Sequence, residues 1–102
     1  MLELRPTCEN CNKPLPPDSA EACICSYECT FCRTCVDGVL HDVCPNCGGG
    51  FAPRPVRPKQ EWRPGACLAT RPASTTVKHR PVDPAVHEAF AAKIKTIAPE
   101  RR

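Results

Sequence analysis

Cys25-Ser26-Tyr27-Glu28-Cys29-Thr30-Phe31-Cys32-Arg33-Thr34-Cys35, followed after eight intervening residues by Cys44-Pro45-Asn46-Cys47, is the stretch that decides how this chain folds. Together with Cys8-Glu9-Asn10-Cys11 it forms four close pairs: Cys8/Cys11, Cys25/Cys29, Cys32/Cys35 and Cys44/Cys47. Three of the pairs have a two-residue gap, which lets a tight turn place both sulfurs on one metal ion. Eight thiolates complete two tetrahedral zinc sites. The expected cofactor is therefore two zinc ions, and the expected ligands are Cys8, Cys11, Cys25, Cys29, Cys32, Cys35, Cys44 and Cys47.

Composition says why metal is needed. Of the ten cysteines in 102 residues, only Cys67 lies beyond residue 47. Large aromatic side chains are limited to Tyr27, Phe31, Phe51, Trp62 and Phe90. A fifty-residue head with so little apolar bulk does not bury enough surface to fold unaided, so metal or disulfides must supply the rest. The N-terminus, Met1-Leu2-Glu3-Leu4-Arg5-Pro6, has no apolar run and is not a signal peptide. No stretch approaches the roughly 20 apolar residues that cross a bilayer. Closely spaced pairs without a secretory signal favour zinc over disulfides, and a cytoplasmic location with no membrane partner.

Charge divides the chain. Residues 1–50 carry three basic against seven acidic residues, a formal −4, and residues 51–102 carry eleven against four, +7, which together make +3. Eight thiolates on two divalent ions make the head more negative still. Glu9, Asp18, Glu21, Glu28, Asp37 and Asp42 read as a solvated acidic surface.

Local patterns place the elements. Residues 22–31 read as two short strands with a turn near Glu28. Val36, Val39 and Leu40 fit about two helical turns over residues 33–40, with Gly38 weakening the helix. Gly48 supplies the positive backbone torsion that a metal knuckle needs after its last cysteine. Residues 51–82, with Arg54-Pro55-Val56-Arg57-Pro58, read as a basic, proline-rich linker in disordered or polyproline conformation. From 83 to 98, Asp83 caps a helix, Pro84 suits its first position, and Pro99 stops it. Val86, Phe90, Ile94 and Ile97 share one face of it, and so short a helix must dock on the head, a second copy or a partner.

The cysteine array resembles the RING and treble-clef class of zinc domains, chiefly through residues 29–35 and Cys44-Pro45-Asn46-Cys47. That resemblance implies interleaved pairing: Cys8, Cys11, Cys32 and Cys35 on one zinc, and Cys25, Cys29, Cys44 and Cys47 on the other. A sequential arrangement is the alternative. Either Cys23 or His41 can replace a ligand; otherwise Cys23 is a small buried hydrophobe and His41 caps the short helix. Cys67 reads as a spare exposed thiol, and His79 and His87 have no ligand-spaced companions. The segments Met1–Pro6, Leu15–Ser19, Gly38–His41, Cys44–Gly49 and Arg54–Pro58, with the cysteines, are also similar to a family of short bacterial proteins known only as a domain of unknown function. This likeness covers residues 1–58 and implies a bacterial protein without implying an activity.

The expected architecture is a small metal-stabilised α+β fold. A RING-like or treble-clef zinc domain with a short hairpin and helix spans residues 1–50, the linker 51–82, one C-terminal helix 83–98 and a tail 99–102. Full thiolate sets leave no open coordination position, and no nucleophile–base pair or phosphate loop is present, so no enzyme is expected. The expected function is a structural-zinc module that binds another protein. The alternative is nucleic-acid binding through the basic tail. Redox-responsive zinc release and ubiquitin-ligase-like activity rank lower. The ligase pattern places an apolar residue where this chain has Asn10 and a basic one where it has Gly48.

Overall fold

The structure, a computed structural model, describes residues 1–102. Two antiparallel strands open the head: β1 (Ala22–Ile24) and β2 (Thr30–Cys32), in the register Ala22↔Cys32, Cys23↔Phe31 and Ile24↔Thr30. Thr30 and Phe31 suit a pleated, buried ribbon. The hairpin turns where expected, with Glu28 in the left-handed region at φ 66°. A third short strand, β3 (Ala52–Pro53), pairs antiparallel with the other edge of β1, giving the order β2-β1-β3.

The chain leaves β2 directly into helix α1 (Arg33–Cys35), which widens into a π-helical stretch over Val36–Leu40. The anticipated two turns are present. They end on His41 and Asp42, both with positive φ, and the amides of both bond to the Val36 carbonyl. His41 therefore terminates the helix through its backbone, while its side chain is exposed. Leu15, Phe31, Val36 and Leu40 form the apolar centre together with buried cysteines. Phe51 packs edge-on to Phe31, with ring centroids 5.5 Å apart.

Residues 54–58 and 72–82 contain no helix or strand, while residues 59–71 form a run of bends and turns, with the Ala66 amide bonded to Arg63 and the Arg71 amide to Cys67. The segment lies along the head. Arg54 is buried; its guanidinium donates to the carbonyls of Arg5 (2.9 Å), Leu15 (3.2 Å) and Pro16 (2.9 Å). Arg57 donates to the carbonyls of Leu2 and Arg71, each at 2.7 Å. The Ser74 amide bonds to Leu4 and the Arg80 amide to Glu9. Composition alone, which pointed to a solvated segment, carries no sign of these anchors.

Helix α2 (Pro84–Ile94) begins as anticipated, with the Asp83 carboxylate accepting from the amides of Ala85 and Val86. It docks on the head by a face rotated from the apolar stripe, of which Phe90 and Ile94 pack beside Gly48 at the edge of the contact. His87 and Ala91 are buried, while Val86 is 67% and Phe90 46% exposed. The His87 Nε2 lies 2.9 Å from the Leu40 carbonyl. A carbonyl only accepts, so Nε2 carries the proton and caps the end of the π-helical stretch. A short 3₁₀ turn (Pro99–Arg101) follows, and Arg102 reaches back to the carbonyls of Asp42 (2.7 Å) and Gly48 (3.2 Å). No helix is long and apolar enough to cross a membrane.

Candidate metal centres

Two turns of like construction carry the outer cysteine pairs. In the first, the Asn12 amide bonds to the Cys8 carbonyl (2.9 Å) and the Cys8 amide to Lys13 (2.9 Å). In the second, Gly48 bonds to Cys44 (2.8 Å) and Cys44 to Gly49 (2.8 Å). The residue after the last cysteine is left-handed in both, Asn12 at φ 62° and Gly48 at φ 77°. Asparagine and glycine are the residues that tolerate that conformation. The inner pairs come from the hairpin and the helix. Cys25 and Cys29 flank the β1–β2 turn, while Cys32 and Cys35 sit one helical turn apart, so their sulfurs share a face.

The sulfurs group in the interleaved order. Those of Cys8, Cys11, Cys32 and Cys35 all lie within 4.8 Å of one another, as do those of Cys25, Cys44 and Cys47. A tetrahedral metal–thiolate centre with bonds of about 2.3 Å places its sulfurs about 3.8 Å apart. The Cys11 and Cys32 sulfurs are 3.8 Å apart, and every cysteine is free. Cys29 is not within the same limit of all three members of the second group, but it faces that group. The Asn46 side chain, in the second knuckle, donates to the Cys29 sulfur at 3.3 Å.

Amide donors surround these sulfurs. In the second group Tyr27 N donates to Cys25 (3.3 Å), Asn46 N to Cys44 (3.4 Å) and Gly49 N to Cys47 (3.4 Å). In the first group the Asn10 side chain donates to Cys35 at 3.2 Å. Both knuckles thus read Cys-x-Asn-Cys, and in each the asparagine amide reaches across to a sulfur from an inner pair. Such donors favour the thiolate and orient it for a metal. Asn10, which departs from the ligase pattern, has this structural role. Its Oδ1 also accepts from Val82 N at 2.8 Å, which ties the tail to the first centre.

Electrostatics explain why the groups need a cation. Burial first, then neighbouring thiols, push the Cys32, Cys35 and Cys44 thiols above their ordinary value. At Cys11 burial acts the same way, but hydrogen bonds from the Lys13 backbone and nearby thiols outweigh it and lower the value. Four thiols, three of them buried in each group, do not all ionise side by side in a poorly solvated cluster; a divalent ion would reverse that preference. Cys8/11/32/35 and Cys25/29/44/47 are the residues that would hold such ions.

Other candidates fall elsewhere. Cys23 is buried in the core, donates toward the Glu21 carbonyl (3.6 Å), and joins neither group. His41 also joins neither. Cys67 is buried rather than exposed. Hydrogen bonds from the Thr70 hydroxyl and backbone hold its thiol below the ordinary value. Glu9 is buried too, and not part of a solvated surface. It takes the Arg5 guanidinium at 2.6 Å and the Thr30 amide at 2.5 Å. Nothing in a single acidic residue between two cysteines signals that pairing.

A family model described as "Protein of unknown function (DUF1272)" matches residues 1–57. An uncharacterized protein of Rhizobium meliloti (strain 1021) is 52% identical over 75 residues, covering 74% of this chain and 82% of that protein. No solved structure matches. The family match takes in both cysteine groups, the sheet and Arg54, and stops before α2. With half of its length and all of its paired cysteines inside that match, the chain belongs to the DUF1272 family of proteins of unknown function.

Proposed function

We propose that the chain is a structural-zinc interaction module of the bacterial cytoplasm, which uses two zinc ions to hold a platform that binds a protein partner and performs no catalysis. The observation that carries this reading is the sulfur count at each centre. Four cysteines per ion form a closed shell with no position for water or substrate, which is the donor set of structural zinc. Exposed Tyr27, Val86 and Phe90 beside the second knuckle supply the apolar contact that such a platform needs. The nucleic-acid alternative has less support, because Arg54, Arg57 and Arg102 use their donors on backbone carbonyls of this chain.

The test compares zinc-loaded and chelated chain as bait in host extract, with crosslinking. A defined set of proteins retained only by the loaded form is expected. Retention of nothing beyond background, or of nucleic acid in place of protein, overturns the reading.

A further inference from the structure

A pentapeptide recurs in the chain: Arg54-Pro55-Val56-Arg57-Pro58 and Arg80-Pro81-Val82-Asp83-Pro84 agree at four of five positions. The head holds the two copies by different means. The first is locked by a side chain, since the buried Arg54 guanidinium meets three fixed carbonyls. The second is held through its backbone. The Arg80 amide donates to the Glu9 carbonyl at 2.7 Å and the Val82 amide to Asn10 Oδ1 at 2.8 Å. Just before them, His79 Nε2 donates to the Asn10 carbonyl at 3.0 Å. Donors at alternate residues belong to one edge of an extended strand. Pro81, between them, has no amide to lose and fixes its own torsion. Arg80 itself is exposed, and its side chain makes no ion pair within the chain.

This second copy crosses a groove between the knuckles. Glu9 of the first knuckle, Pro45 and Asn46 of the second, and Phe31 of β2 line a depression of about 200 Å³ beside residues 80–82. Val82 packs against the core and also borders a second opening of about 250 Å³ toward α2, so the segment does not fill the groove it lies in. We propose that this groove is a receptor for an extended segment of a partner protein, carrying proline followed by an aliphatic residue, and that residues 79–82 occupy it as a tethered stand-in which the partner displaces. The inference rests on the reading of the head as a protein-binding platform, and says where and what it binds. Arg80 and Val82 are held by main-chain amides, which any extended segment presents, and one aliphatic side chain supplies the selection. The groove residues Glu9, Phe31, Pro45 and Asn46 lie inside the family match at residues 1–57, whereas the segment that covers them lies outside it. Displacement is local. Ser74 stays bonded to Leu4 and Glu3 on one side, and α2 stays docked through His87 on the other.

The probe is a fluorescent peptide of this chain's own residues 77–84, titrated by anisotropy into the zinc-loaded full chain and into its full-length variants Arg80→Pro and Val82→Asp. Arg80→Pro removes the amide that meets Glu9, and Val82→Asp removes the aliphatic anchor. Zinc content and circular dichroism should stay unchanged in both. Each variant should bind the peptide about tenfold more tightly than the natural chain, because a short tether presents the segment at an effective concentration of about 1 mM against an intrinsic dissociation constant of about 100 µM. A peptide N-methylated at Arg80 and Val82 should bind none of the three. If a variant loses zinc, the same comparison of plain and N-methylated peptide on the natural chain, at about millimolar peptide, still decides. Binding to none of the chains, equal binding to all three, or binding that survives N-methylation overturns the proposal. Proteins retained from host extract by a chain that fails this titration leave the platform reading standing and remove the groove.

Discussion

Asn10 and Asn46 occupy the same position in their knuckles, and each joins a turn to a sulfur from an inner pair. Replacing either with alanine should weaken its own centre about tenfold in competition with a chelator, the size of effect expected when an outer hydrogen bond to a metal ligand is lost. The two variants should differ in one respect. Asn10→Ala also removes the acceptor for Val82 N, so the Val82 amide should exchange faster in that variant and not in Asn46→Ala. Arg54 is the other residue whose role is disproportionate. Arg54→Met leaves the carbonyls of Arg5, Leu15 and Pro16 short of a buried donor and should cost about 2–4 kcal/mol in chemical unfolding. Arg54→Lys should not restore it, because a single ammonium does not span three fixed acceptors. The cysteines were legible in the sequence because metal geometry dictates their spacing. Asn10, Arg54 and Glu9 were not, because most of their partners are distant in sequence: Cys35 and Val82 for Asn10, Thr30 for Glu9, and the carbonyls of Arg5, Leu15 and Pro16 for Arg54.

Among the elements, the hairpin and the helix after it follow from local signals: a β-branched and aromatic run, a turn, then apolar residues at helical spacing. The π-helical widening and the π-to-turn exit at His41 and Asp42 do not, since no residue in Val36–Leu40 demands them. Two glycines, Gly38 in that stretch and Gly48 in the second knuckle, make opposite predictions. Gly38 has no positive φ and open space where a Cβ would be, so Gly38→Ala should stabilise the head by about 0.5–1 kcal/mol. Gly48 sits at φ 77°, so Gly48→Ala should cost about 1–2 kcal/mol even though its Cβ would meet Ile94 and Phe90 only at ordinary contact distance. Thermal melts of the two zinc-loaded variants check both signs. Helix α2 began where Asp83 and Pro84 placed it, but its rotation could not be read from its apolar stripe. His87 turns inward as a second donor to the Leu40 carbonyl, which also accepts from Val43 N, and this contact together with burial of Ala91 sets the face that α2 buries while Val86 stays exposed.

At the scale of the whole molecule, the tail is tied to both centres: residues 79–82 to the first knuckle, and α2 with Arg102 to the segment 40–50. Chelation should therefore release two zinc ions per chain, unfold the head and abolish tail protection in one step, read by native mass spectrometry and amide exchange. A smaller, acid-dependent loosening is separable from it. The Ser74 hydroxyl first, then Arg5 and Lys78, hold the Glu3 carboxyl below its ordinary value. A depressed carboxyl stabilises the fold above its unfolded value and loses that contribution as pH falls through the folded one. Exchange at Ser74 should rise only on acidification below about pH 4.5, and Glu3→Gln should show the faster exchange already at neutral pH. What the sequence alone determined is the head with its two cysteine clusters: cysteine spacing, turn chemistry and hairpin pattern are local properties, written within a few residues of where they act. What only the tertiary structure decided is the path of the tail, the face α2 buries, and the asparagines that bind sulfur. Those depend on which distant carbonyls, amides and thiols are left unsatisfied once the head has folded, and a one-dimensional pattern holds no record of them.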